Sequence, residues 1–106
     1  MDFPFSAGLL DSCVLAIVEK ENAYGYILTQ KMKEKMDISE STLYPVLRRL
    51  QKEDFLQTYD EPFQGRNRRY YAITDKGKER LVEYKASWVE YKTNIEDILF
   101  GGECVE

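Results

Sequence analysis

Ser41-Thr42-Leu43-Tyr44-Pro45-Val46-Leu47-Arg48-Arg49-Leu50 is the stretch from which the fold can be read. Leu43, Val46, Leu47 and Leu50 recur at i, i+3, i+4 and i+7, the spacing of one buried face of an amphipathic helix. Pro45 lacks an amide hydrogen and is tolerated in the first helical turn. The helix is therefore expected to open near Ser41, or with a distorted turn, capped by Ser39 or Ser41. Its other face carries Ser41, Thr42, Tyr44, Pro45, Arg48 and Arg49. Taken alone, that face fits an ordinary solvated surface and a ligand-reading surface equally well.

Upstream, a second helix is expected from about Ala23 to Met36, with Tyr24, Ile27, Leu28 and Met32 on its apolar side. Asp37-Ile38-Ser39 forms a short turn, with Ile38 reaching into the core. A first helix, capped by Ser6, repeats Leu9, Leu10, Cys13, Val14, Ile17 and Val18 at helical spacing, and Leu15 and Ala16 extend the apolar surface nearly all round. Such a helix must be covered on most sides. One core covers one side, so a partner subunit is expected on the other.

Downstream, Phe55-Leu56-Gln57-Thr58-Tyr59 and Arg69-Tyr70-Tyr71-Ala72-Ile73-Thr74 have the aromatic and β-branched composition of strands. The intervening residues 60–68 are expected to form a loop, making the whole a hairpin tipped by Arg66, Arg68 and Arg69. If Tyr71 and Ile73 point inward, alternation sends Tyr70 and Ala72 outward. Thr74-Asp75 can cap a last helix ending near Phe100, before Gly101-Gly102. Leu81, Tyr84, Trp88, Tyr91, Ile95 and Ile98 are spaced 3, 4, 3, 4 and 3 apart, a heptad seam suited to packing against another helix. A helix that long overhangs so small a body, so a partner subunit is expected from Trp88 to Ile98.

A chain of 106 residues is one domain. Its net charge of −4 argues against nucleic acid only superficially, because residues 24–80 hold 12 Lys/Arg against 9 Asp/Glu and the acidic excess lies at the ends. There is no histidine, and so no general base of the commonest kind near neutral pH. No nucleophile, carboxylate dyad or phosphate-cradling glycine loop is recognisable, and Cys13 and Cys104 are too far apart in sequence for a clustered zinc site. No enzyme activity, cofactor or metal is expected. No apolar run is long enough to span a bilayer, and Met1 to Phe5 lack the basic segment of a secretory signal, so the expected location is the cytoplasm.

The order helix, helix, turn, amphipathic helix, arginine-tipped hairpin is that of a winged helix-turn-helix. The chain also resembles the PadR family of bacterial regulators. The matching residues are Tyr24-Gly25-Tyr26, the Ser41–Leu50 stretch, Gly65-Arg66, Arg69-Tyr70-Tyr71 and Thr74-Asp75-Lys76-Gly77, in family order and spacing. The resemblance implies a dimer whose C-terminal helices cross onto the partner's N-terminal helices, and repression relieved by a small molecule. It is to the short subfamily with one C-terminal helix, some members of which hold flat aromatic drugs between paired tryptophans, and Trp88 falls in a matching place.

The expected fold is therefore mainly α within an α+β class: a DNA-binding winged helix-turn-helix over residues 1–74, a dimerisation helix over 75–100 and a flexible tail over 101–106. Ser41, Thr42, Tyr44, Arg48 and Arg49 are expected to meet the major groove of double-stranded DNA. Arg66, Asn67, Arg68 and Arg69 are expected to meet the flanking backbone or minor groove of an inverted repeat. Leu10, Val14, Tyr84, Trp88, Tyr91, Ile95 and Ile98 are the expected dimer contacts. Trp88, Tyr91 and Lys92 are the expected effector site, with simple interface packing as the other role open to Trp88. A winged helix that binds a protein and not DNA is the alternative function.

Overall fold

A computed structural model describes residues 7–104. Ser6, the expected cap of the first helix, and residues 105–106 of the expected tail lie outside the described residues. The elements run α1 (Ala7–Lys20), β1 (Ala23–Tyr24), α2 (Gly25–Met36), α3 (Glu40–Lys52), β2 (Leu56–Phe63), β3 (Arg66–Ile73) and α4 (Asp75–Cys104).

The apolar stripe of α3 is wholly buried: Leu43, Val46, Leu47 and Leu50 all enter the core. Each such side chain contributes about 1.5–3 kcal/mol by leaving water. Ser39 is the cap, its side chain accepting from the Thr42 N–H at 3.3 Å. The helix thus opens at Glu40, ahead of the expected Ser41, and Pro45 falls in its second turn. The ladder bond that Pro45 cannot make would have reached the Ser41 carbonyl. Both residues are exposed, so water can take its place.

The faces of α2 differ from expectation. Leu28, Thr29 and Met32 are buried, whereas Ile27 faces solvent. The Thr29 hydroxyl is accommodated inside because it donates to the Tyr26 carbonyl at 2.8 Å. Asp37 closes α2 in the left-handed region, φ 53°, and Ile38 packs against the core as expected.

Ala23 and Tyr24 form a short strand rather than the first turn of α2, pairing with Tyr71 and Tyr70. The sheet order β1-β3-β2 puts β2 on an edge, where Pro62 is tolerated without its N–H. Much of the segment expected to be a loop is strand: Phe63 pairs with Arg66 across only Gln64 and Gly65. Both turn residues have positive φ, 51° and 81°, as a type I′ hairpin turn requires, and glycine adopts that conformation at no steric cost. Tyr71 points inward as expected, but Ala72 is buried as well.

Leu10 and Val14, expected at a dimer interface, lie in the chain's own core together with Leu15 and Val18. At 6% and 0% exposure they have almost no surface left to offer a partner. The side of α1 still partly uncovered carries Cys13, Ala16 and Ile17.

Thr74 anchors the start of α4. Its hydroxyl accepts from the Gly77 N–H at 2.9 Å and donates to the Asp54 carbonyl at 2.7 Å. Gly77 lies so close to the chain below that a Cβ there would sit 2.2 Å from the Phe55 carbonyl oxygen. Leu81 is buried and Tyr84 half-buried, but every residue from Lys85 to Phe100 is exposed. At 1.5 Å per residue, thirty residues span roughly 45 Å. The radius of gyration is 16.3 Å, against about 13 Å for a compact domain of this size. The overhanging helix accounts for the excess. The helix also continues through Gly101 to Cys104, past the expected stop at Phe100 and into the expected tail.

Candidate nucleic-acid interface

Two surfaces meet beside Tyr71. One is the exposed side of α3, with Ser41, Thr42, Tyr44 and Arg48. The other is the β2–β3 hairpin, the wing. Burial pushes the Tyr71 phenol up, Arg69 and Arg48 pull the opposite way, and Tyr44 adds to the rise. Those three side chains are therefore close enough to Tyr71 to act on its charge. At the N-terminus of α3, the Ser39 hydroxyl lies 2.9 Å from that of Ser41 and 3.1 Å from that of Thr42. Hydroxyls and free amides at the positive end of a helix dipole suit a phosphate oxygen.

The arginines of the wing and α3 are not equivalent. Arg48 and Arg66 carry no ion pair among the described residues. Arg69 pairs with Asp60 at 3.7 Å, both well exposed, an attachment worth little in water. Arg68 is half-buried, its guanidinium 3.8 Å from the Phe63 ring centroid and 4.5 Å from that of Tyr24. Strand alternation puts it with Tyr59 and Tyr70, whose rings stack 5.5 Å apart, on the face opposite Asn67, Arg69 and Tyr71. Asn67 remains exposed near the tip.

Arg49 is turned inward. Its two terminal nitrogens donate to the two carboxylate oxygens of Asp11, the NH1 bond at 2.9 Å. Tyr84 donates its hydroxyl to the same carboxylate at 3.1 Å. The Asp11 bonds raise the Arg49 pKa further above its usual value. Burial, ahead of its neighbours, raises that of Tyr84 and keeps it a donor. Arg49, expected at the major groove, is thus engaged by Asp11, while its side chain keeps 38% exposure. Asp11 escaped the sequence reading, although the signal was present: a lone acid between Leu10 and Val14 on a helix apolar all round must find a partner when buried.

The profile of the family described as "Transcriptional regulator PadR-like family" matches residues 14–83. A Lysinibacillus sphaericus protein is 35% identical over 101 residues, covering 91% of this chain and 93% of its own. The chain belongs to the PadR-like family of transcriptional regulators. A Streptococcus mutans structure superposes with a TM-score of 0.87 at 44% identity, covering 95% of both chains. A PadR-like regulator from Bacillus cereus gives 0.79 at 39% identity, over 87% of this chain and 92% of its own. A PadR family regulator from Clostridium difficile gives 0.78 at 28% identity, over 85% and 97%.

PadR-like regulators bind DNA and are not enzymes. Among the described residues no helix is long and apolar enough to cross a membrane. The PadR-like α4 leaves Trp88 44%, Tyr91 62% and Ile98 78% exposed, with Ile95, Val89, Leu99 and Phe100 beside them. Trp88 and Tyr91 have ring centroids 6.3 Å apart at a 40° tilt, and Lys92 is exposed next to them. A groove of about 580 Å³ runs between α1 and α2, floored by Cys13, Ala16, Ile17, Met32 and Met36. Lys20, Lys31 and Lys35 rim it, together with Glu21 and Glu34.

Proposed function

We infer that the protein is a cytoplasmic homodimeric repressor that binds an inverted repeat in double-stranded DNA and releases it when a small aromatic effector binds. The observation carrying this reading is the apolar seam of α4, exposed for its entire length beyond Tyr84. Contiguous apolar surface of that extent marks an interaction site, and a 3–4 heptad spacing fits another helix.

In the dimer, α4 of each chain crosses the partner, with Trp88, Tyr91, Ile95 and Ile98 as contacts. The end of α4 carries Glu96, Asp97 and Glu103 without a Lys or Arg, which complements the lysine-rimmed groove between α1 and α2. Each recognition helix enters a major groove, with Ser41 and Thr42 at phosphates and Tyr44 and Arg48 reaching base edges or the backbone. The wings place Arg66, Asn67 and Arg69 on the flanking backbone. A flat aromatic molecule fits between the Trp88–Tyr91 pairs at the dimer centre, with Lys92 favouring an acidic group on it. Binding there shifts α4 and favours a spacing of recognition helices that fits DNA less well.

Selection of bound duplexes from random DNA tests the reading, with sedimentation of the same sample. A recovered inverted repeat bound by two chains supports it. Failure to enrich any duplex at low salt would favour the protein-binding alternative.

A further inference from the structure

Asp11 ties three helices together at a single carboxylate. It lies on α1 and is only 2% exposed. It takes both terminal nitrogens of Arg49, from α3, and the hydroxyl of Tyr84, from α4. Arg49 also reaches Glu53 one turn on, at 3.8 Å, so the pull is shared along the end of the recognition helix. On α4, Arg80 covers the Tyr84 ring, 4.9 Å from its centroid, and approaches that of Phe55, 5.8 Å away, at the base of the wing. Trp88 follows Tyr84 by one helical turn.

A buried carboxylate tolerates little loosening of its partners, because a charge left unpaired in a dry site is strongly unfavourable. Hydrogen bonds also weaken steeply once stretched or bent. If α4 moves along its axis, Tyr84 either drags Asp11 and Arg49 with it or releases them. Packed polar joints of this kind have discrete arrangements rather than a continuous range.

We propose that Asp11 is a positioning residue that passes the placement of α4 to the recognition helix through Arg49, so that DNA contact on α3 and events at Trp88 are reciprocally linked. This rests on the reading of α3 as the DNA-binding helix. Linkage between two sites runs both ways by thermodynamic necessity. DNA binding must therefore register at Trp88, which is the chain's single tryptophan and hence an internal reporter.

The test follows Trp88 emission while the full-length protein is saturated with the duplex recovered by selection, with labelled-DNA anisotropy proving saturation. The unsubstituted protein should show a shift in emission. Tyr84→Phe, which keeps the ring and removes one hydroxyl, should lose most of that shift at saturation, and so should Asp11→Asn. Asp11→Glu, which keeps the charge and the acceptors, should recover part of it. An unaltered shift in Tyr84→Phe, or none in the unsubstituted protein on saturating DNA, overturns the proposal. Amide hydrogen exchange without DNA examines the same joint independently of the DNA reading. In Tyr84→Phe, exchange over Val46–Lys52 should accelerate about fivefold or more, the lower end of ordinary coupling, while α2 is unaffected. If α3 exchanges no faster than before, the joint does not exist, whether or not any duplex was recovered.

Discussion

The unequal settings of the arginines can be measured as salt dependence. Arg48 and Arg66 lack an ion pair among the described residues, whereas Arg68, on the same face of the wing as Arg66, is held between Phe63 and Tyr24. A cation that neutralises one phosphate contributes about 0.9 to the slope of log affinity against log salt. Each substitution occurs twice in the proposed dimer, so Arg48→Ala or Arg66→Ala should flatten the slope by roughly 1.8. Between about 50 and 200 mM salt, that makes the affinity lost by the variant roughly 12-fold smaller than the loss in the unsubstituted protein. Arg68→Ala should leave the slope nearly unchanged while weakening binding, because removing the stacked guanidinium loosens the wing without removing a phosphate contact. Fluorescence anisotropy of a labelled duplex over a salt series gives all three slopes. If Arg68→Ala flattens the slope as much as Arg66→Ala, stacking on Phe63 and Tyr24 does not keep Arg68 from the phosphates. If none of the three moves it, the hairpin and α3 do not touch the backbone.

Gly77→Ala should destabilise the fold by about 1–2 kcal/mol net, since overpacking of up to about 3 kcal/mol against a carbonyl outweighs the roughly 1 kcal/mol that alanine gains in helix propensity. A melting temperature equal to or above that of the parent would contradict the close approach to Phe55. Ile95→Glu with Ile98→Glu should give monomers by sedimentation and weak DNA binding, and an intact dimer would put the interface elsewhere. The Cys13 thiol is pushed up by burial more than the Ser12 bond lowers it. The unfolded chain then loses this proton first, so the protonated thiol's contribution to stability is present at neutral pH and declines as pH rises past the ordinary thiol range. Melts against pH should show that decline, and Cys13→Ala should remove it.

The core of the fold was legible because the period of α3 and the seam of α4 are strong repeating signals. The stripe of Leu43, Val46, Leu47 and Leu50 can satisfy only one side of a helix, and it is buried as its spacing demanded. The misread segments are those where one residue overrode its neighbours. Pro62 and Gly65 looked like loop, yet an edge strand accepts the first and a type I′ turn uses the second. Ile27 looked like core and Thr29 like surface, but a single hydroxyl bond to the Tyr26 carbonyl let threonine take the inner position. For the candidate site, composition placed arginines on α3 and the wing without showing which were already engaged. That depends on Asp11, thirty-eight positions from Arg49 in sequence, and on aromatic rings across the sheet from Arg68. Partners so remote leave no local periodicity to read.

These internal attachments also bear on how an acidic chain holds DNA. With Arg49 bound to Asp11 and Arg68 stacked between rings, each chain has few cations left for phosphates, chiefly Arg48, Arg66 and the loosely paired Arg69. A single chain with so few contacts binds any duplex weakly at physiological salt, since nonspecific affinity is almost wholly a matter of phosphate contacts. Two chains rigidly joined double the contacts and convert the second engagement into an intramolecular one. In the proposed dimer, weak halves and a stiff connection would make occupancy depend steeply on the spacing between recognition helices, which α4 would set. In such a dimer, tying Arg49 and Arg68 inward would lower affinity for random DNA and make the dimer's geometry the quantity that decides binding.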